Sequence, residues 1–360
     1  MIPVCEPLIG GKELEYVTDC LQSNWISSSG KYIAEFEQRF AHYCATRYGV
    51  STTSGTTALH LALASLGIGK GDEVIVPAFT MVAPVFAILY TGAKPVLVDC
   101  EPQTWNMDVT QIEGKITPNT RAILPVHIYG HPCDMDPILE IAKKYNLYVV
   151  EDAAEAHGAE YKGRKVGGIG DVGCFSFYAN KIITTGEGGM IVTNREEVEE
   201  RARRLKDQAY SREKRFLHTD LGFNYRMTNI QAAIGLAQLE RVDEFVERRR
   251  KNAHLYGELL TGVDGIRLPI QKEWAKNVYW MYCILIQDGF AMGRDELQVK
   301  LKENEIDTRP FFMLMHQQPA FEKLGLFDGE SYPVSEDISR RGMYLPSGSG
   351  LKGEEIERVC

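Results

Sequence analysis

Gly49-Val-Ser-Thr-Thr-Ser-Gly-Thr-Thr-Ala-Leu-His-Leu-Ala-Leu63 leads from a strand into an apolar helix, with a glycine and small hydroxyl residues at the junction. A helix that starts this way exposes unpaired backbone N–H groups at the positive end of its dipole, which suits an anion, most often phosphate. It suits a plain helix cap equally well, because Ser and Thr cap helices routinely. Downstream, the short apolar runs Val74–Val76, Pro95–Val98, Ala122–Leu124 and Leu147–Val150 have the length of buried parallel strands. Helical segments separate them at Thr57–Leu66, Pro84–Tyr90 and Met135–Lys144. The alternation predicts an α/β fold with a doubly wound, mostly parallel sheet covered on both faces. In such sheets ligands bind outside the carboxyl ends of the strands.

Upstream, residues 11–22 and 33–44 carry helical periodicity, with Leu14, Val17 and Leu21 in the first segment and Ile33, Phe36 and Phe40 in the second. The loop between them, Asn24-Trp-Ile-Ser-Ser-Ser-Gly30, holds one large aromatic, Trp25, which suits a packing anchor or a ligand contact. After Asn194 longer helices take over. Ile230, Ala233, Ile234 and Ala237 form a stripe suited to close helix packing. The last part carries a strand over Val278–Ile286 and a helix over about Gly293–Glu303. A large domain over residues 1–245 and a smaller C-terminal α+β domain over 246–360 are therefore expected. The end of the sequence reads as mid-helix, so a longer natural chain is expected.

The 360 residues are 44% hydrophobic and 25% charged, as in an ordinary globular protein. A net charge of −9 argues against nucleic acid as a partner, which would call for a basic face. Eight scattered cysteines without a CxxC pair suit reduced thiols in the cytoplasm better than a disulfide framework or a zinc site. No signal peptide and no apolar stretch near the ~20 residues of a membrane span is recognised. The eight histidines are dispersed, and no metal site is expected.

Two further stretches carry chemistry. In Val149-Val-Glu-Asp152-Ala-Ala-Glu155-Ala-His157, an apolar strand ends in acids, and Asp152 falls where such sheets meet their ligands. It suits a metal, a ribose, a protonated heterocyclic nitrogen or a plain structural role. In Phe175-Ser-Phe-Tyr-Ala-Asn-Lys181-Ile-Ile-Thr-Thr-Gly-Glu-Gly-Gly189, a strand over Val172–Tyr178 delivers one lysine into a turn. A buried ammonium is costly, so that lysine is either an ion-pair partner or a nucleophilic amine able to form a Schiff base. An anion-cradling helix start, an acid at a strand end and such a lysine form the set that pyridoxal phosphate (PLP) requires.

The motifs Gly-Thr-Thr-Ala-Leu, Glu-Asp-Ala-Ala-Glu-Ala, Phe-Ser-Phe-Tyr-Ala-Asn-Lys, Thr-Thr-Gly-Glu-Gly-Gly-Met and Gly222-Phe-Asn-Tyr-Arg-Met-Thr-Asn-Ile-Gln-Ala-Ala-Ile-Gly235 together resemble the DegT/DnrJ/EryC1/StrS family of sugar-nucleotide aminotransferases. The resemblance runs along essentially the whole chain. It implies the aspartate aminotransferase-like PLP fold (fold type I), a homodimer with shared active sites, L-glutamate as amino donor and a nucleotide-linked keto sugar as acceptor. It matches Lys181 to the Schiff-base lysine, Asp152 to the partner of the pyridine nitrogen, and Gly55, Thr56, Thr57 and Ser176 to the phosphate cradle. Asn224 matches the residue that reaches the neighbouring subunit's phosphate, and Glu155 stands where many members have glutamine. Met81 stands where the family usually stacks an aromatic on the ring, a departure that a thioether can accommodate. The sugar nucleotide is assigned Trp25, Ser27 and Lys31 in the early loop, with Trp280, Tyr282, Arg309 and His316 from the second domain. A dehydratase on the same fold is disfavoured because its relatives carry histidine in place of Lys181. A PLP-binding regulator, and an aminotransferase acting at C3 or on a UDP- or dTDP-sugar, are the remaining alternatives.

Overall fold

The computed structural model describes residues 1–211, 213–214 and 216–360. Its strands are β1 (Tyr48–Thr52), β2 (Glu73–Pro77), β3 (Lys94–Val98), β4 (Thr120–Ile123), β5 (Tyr148–Asp152), β6 (Glu160–Tyr161), β7 (Arg164–Lys165), β8 (Val172–Ser176), β9 (Gly189–Thr193), β10 (Ile266–Arg267), β11 (Ala275–Lys276), β12 (Tyr282–Ile286), β13 (Arg309–Pro310) and β14 (Gly342–Leu345). Helices in the first two-thirds are α1 (Glu13–Gln22), α2 (Lys31–Tyr43), α3 (Gly55–Ser65), α4 (Ala83–Tyr90), α5 (Met135–Tyr145), α6 (Glu196–Lys206), α7 (Asn229–Leu239) and α8 (Val242–Leu260).

Seven strands form the main sheet in the order β1-β9-β8-β5-β4-β2-β3. The pairs β3–β2, β2–β4, β4–β5 and β5–β8 are parallel, as the continuous apolar runs predict. β9 runs antiparallel between β1 and β8, and sequence alternation did not reveal it. Its apolar run, Met190-Ile-Val192, follows the glycines of the lysine loop directly and is fully buried. A second sheet, β10-β12-β14-β13, is built from the chain after Arg250, and β11, β6 and β7 make a small third one. The boundary expected near residue 245 falls in the first turn of α8, which packs Phe245 and Val246 into the main core. Among the described residues no helix is long and apolar enough to cross a membrane.

Two sequence expectations need correction. In α1 the buried residues are Glu13 and Cys20, whereas Leu14 and Leu21 are exposed. The reason is polar satisfaction: Glu13 accepts from the Gly11 amide at 2.7 Å and from the Gln238 side chain of α7 at 2.5 Å, so that face turns inward. The second is the strand expected over 278–286, which begins only at Tyr282; Tyr279 has a left-handed backbone (φ 47°) that interrupts it.

Candidate active site

The carboxyl ends of β2, β5 and β8 open onto a cleft of about 330 Å³. At its floor β5 presents two consecutive acids to opposite faces, as strand geometry requires. Glu151 turns away from the cleft and accepts from the amides of Gly167 (2.7 Å), Ile169 (2.8 Å) and Gly170 (2.6 Å), with His127 Nε2 at 3.0 Å. Its role is structural. Asp152 lines the cleft, and one carboxylate oxygen accepts from the Ala154 amide at 3.0 Å. Burial pushes its carboxyl above the usual range, while the Ala154 amide, Lys181 and His127 pull the other way. A cation brought beside it offsets that burial cost.

Lys181 follows β8 in a turn closed by its own amide donating to the Tyr178 carbonyl at 2.9 Å. Its side chain is only 11% exposed, with Nζ 3.8 Å from Glu155 Oε1 and 3.8 Å from the centroid of the Trp280 ring. Burial lowers the proton affinity of Nζ, against the pull of Glu155 and Asp152. Glu155 accepts from the Tyr129 amide at 2.7 Å, and burial raises its carboxyl to about 7 despite the nearby lysine. Tyr129 holds a left-handed backbone (φ 52°) to aim that amide. The lysine and the glutamate therefore both lean toward their neutral forms. His157, in the same motif, lies among Phe40, Phe175 and Phe177 instead of in the cleft.

The opposite wall is the start of α3. Ser54 caps it in a capping box with Thr57, whose hydroxyl accepts from the Ser54 amide at 2.9 Å. Ser54, Gly55, Thr56 and Ser176 line the cleft; Thr57 does not, because its hydroxyl is spent on the cap. The amides of Gly55 and Thr56 precede the first intrahelical bond and are free for a ligand. A Cβ on Gly55 would stand 2.7 Å from Ser176 Cβ, so only glycine lets the two walls approach this closely. Met81, 46% exposed, sits at the mouth.

These residues fit PLP. Two helix-start amides and the Ser176 hydroxyl suit its phosphate, Asp152 its pyridine nitrogen and Lys181 its aldehyde. Thr80 Oγ1 and Asn180 Oδ1 are buried, line the cleft and have no partner within the described chain, so the cleft is built for a polar ligand. Thr80, Tyr178, Asn180, Glu187, Phe312 and Tyr344 also line it and were missed from sequence. Tyr178, Asn180 and Glu187 were legible in the lysine stretch itself, and Thr80 beside Met81. Phe312 and Tyr344 arrive from distant segments and carry no local signal.

The residues assigned to the sugar nucleotide do not gather in this cleft. Trp280 reaches it, but its buried ring faces Lys181 and its Nε1 donates to the Asn180 carbonyl at 2.8 Å, leaving no face for a nucleobase. Tyr282 is buried in the second sheet, stacked on Tyr256 at 4.7 Å. His316 lies with Glu336 (3.1 Å) under Tyr332. Arg309 is exposed and pairs with Asp307. Trp25 and Lys31 line a separate hollow with Asn229, which donates from its backbone to the Ser27 carbonyl at 2.6 Å. Lys31 pairs with Asp19 there at 2.9 Å. Asn224 is exposed, holds Arg226 at 2.8 Å and does not line the cleft of its own chain.

The profile of the DegT/DnrJ/EryC1/StrS aminotransferase family matches residues 7–360. Over 359 residues the chain is 46% identical to a GDP-perosamine synthase of Escherichia coli O157:H7, covering 100% of this chain and 96% of that one. Identity is also 46% to a GDP-perosamine synthase of Caulobacter vibrioides, covering 99% and 96%. Among solved structures, the PLP form of a putative sugar aminotransferase, Spr1654 from Streptococcus pneumoniae, superposes with a TM-score of 0.93 at 30% identity, covering 99% of this chain and 96% of that one.

Proposed function

The chain belongs to the DegT/DnrJ/EryC1/StrS aminotransferase family, and from that premise we propose that it moves the amino group of L-glutamate onto GDP-4-keto-6-deoxy-D-mannose, giving GDP-perosamine. It is a PLP-dependent sugar aminotransferase. The observation that carries the reading is the convergence of Lys181, Asp152 and the α3 start on one cleft. The GDP and perosamine parts rest on the 46% identity to GDP-perosamine synthases over the whole chain.

Bound PLP supplies an electron sink for a carbanion at the amino acid Cα. In this proposal Lys181 Nζ would hold the cofactor's aldehyde and, when free, would serve as the base and acid that moves a proton from and to the donor's Cα. A buried amine that leans neutral is suited to both tasks. Asp152 would keep the ring nitrogen protonated, Glu155 would serve the ring hydroxyl, and Gly55, Thr56 and Ser176 would hold the phosphate. Met81, at the mouth, would pack on the ring.

The enzyme is proposed to act as a homodimer in which Asn224 and the Trp25, Ser27 and Lys31 segment complete the partner's site. Support comes from their distance from the cleft lining of their own chain and from the exposed Leu14, Leu21, Trp25 and Ile26. Arg309 and His316 do not line the cleft, and a substrate role for them is proposed only from the sequence resemblance; Tyr282 is withdrawn from it. A division into a large unit to residue 245 and a small one after it is also proposed, supported by the second sheet. A cytoplasmic location is supported by eight free cysteines, six of them buried. The test is incubation with L-glutamate and, in parallel, GDP-, UDP- and dTDP-linked 4-keto-6-deoxy sugars, with products identified by mass and NMR. Amination of the GDP sugar at C4 is expected; amination of only a UDP or dTDP sugar would overturn the assignment of the acceptor.

A further inference from the structure

Arg249 of α8 is only 3% exposed, and among the described residues no carboxylate pairs with it. Buried charges are ordinarily paired, so a guanidinium held only by neutral acceptors is a standing cost. Its bonds show what it holds. Nε donates to Ser349 Oγ at 3.0 Å, Nη1 to the carbonyls of Trp280 (2.5 Å) and Ser347 (2.9 Å), and Nη2 to Cys5 Sγ at 3.3 Å. Two of these contacts continue to one place. Trp280 Nε1 donates to the Asn180 carbonyl at 2.8 Å, and Cys5 Sγ donates to the same oxygen at 3.3 Å. That carbonyl belongs to the peptide bond that carries Lys181. Four segments far apart in sequence thus close a ring of hydrogen bonds at the base of the lysine.

We propose that Arg249 is a positioning residue for Lys181: it fixes Trp280 and Cys5 on the Asn180 carbonyl, which seats Nζ against the indole, and its unneutralised charge disfavours a second cation there. An indole face alone would favour an ammonium over it, so the ring by itself does not keep the amine free of its proton. The other groups facing Nζ are Glu155 and Asp152, which favour its charge, Cys5, which would do so only as a thiolate, and His157, which is held neutral by burial. Burial and Arg249 are the two influences acting against the proton. Only the neutral amine can attack an aldehyde or accept a proton, so Arg249 would raise the working fraction of Lys181 without touching the substrate.

The proposal deepens the transaminase reading and rests on it, but its test reads the free amine. The full-length chain is stripped of cofactor, and tryptophan emission is followed against pH. Because the chain has four tryptophans, the same titration of Lys181→Met is subtracted to isolate Trp280, whose ring lies 3.8 Å from Nζ. A step below the ordinary lysine value of about 10.4 is expected in the wild type. In R249Q, which keeps donors but loses the charge, the step moves to higher pH; in R249K, which keeps the charge, it stays at the wild-type position. An unmoved step in R249Q, or one that rises in R249K as far as in R249Q, overturns the proposal. Should R249Q not fold, the other two chains decide: a wild-type step at or above about 10.4, or a raised one in R249K, overturns it. A lysine that titrates as stated but never binds PLP would sink the transaminase reading alone.

Discussion

Replacing Glu155 by glutamine should remove a specific pH dependence from the stability of the cofactor-free protein. Burial raises the Glu155 carboxyl from an ordinary 4.5 to about 7. The unfolded chain therefore releases this proton before the folded one does, and folding becomes less favourable as pH rises between those values. The shift of roughly 2.5 units is worth about 3 kcal/mol, present below pH ~4.5 and lost by the time the pH has passed through about 7. Glutamine keeps an acceptor for the Tyr129 amide, now 2.7 Å away, and has no charge to bury. Urea unfolding of both chains across pH 5 to 8.5 reads the difference. E155Q should gain on the wild type by about 1.4 kcal/mol per pH unit between ~5 and ~7 and hold a constant margin above. Parallel curves for the two proteins would refute the reasoning, since they would mean that Glu155 ionises in the folded chain as it does in water.

Other substitutions separate the roles of the cleft. Gly55→Ala drives a methyl to 2.7 Å from Ser176 Cβ; at the usual ~1–3 kcal/mol for overpacking, PLP affinity should fall about 10-fold or more by titration of the cofactor-free chain, and an unchanged affinity would remove α3 from the phosphate site. Glu151→Gln leaves one oxygen for four donors and should cost about 2–4 kcal/mol of stability in thermal unfolding, with the folded enzyme still active. Loss of turnover without loss of stability would mean that Glu151, not Asp152, serves the chemistry. Asn224→Ala should lower cofactor retention on dialysis if the site crosses between subunits; wild-type occupancy would count against that.

Much of the cleft was legible because its chemistry is local. The helix start at Gly55, the acid at Asp152 and the loop at Lys181 each announce themselves within ten residues, and the parallel sheet brings their strand ends together. What failed depended on partners distant in sequence. Thr57 reads as a ligand donor until its bond to Ser54 is seen. The Leu14 and Leu21 stripe has the period of a core-facing helix, yet Gln238 and the Gly11 amide draw Glu13 inward and leave the leucines outside. Trp280 and Tyr282 look alike as aromatics two residues apart. One lies on the lysine and the other on Tyr256, because the strand expected to hold both begins only at Tyr282. Arg249, inside a run of three arginines, reads as solvated charge; only the fold reveals that it is buried.

In the proposed reaction Lys181 carries the cofactor and passes an amino group through it. Purified holoenzyme mixed with L-glutamate, without a sugar, tests it most directly. Absorption of the lysine-bound cofactor should disappear while one 2-oxoglutarate forms per cofactor, and Lys181→Ala should fold but do neither. A spectrum that glutamate leaves unchanged, or a Lys181→Ala enzyme that still converts it, would contradict the account.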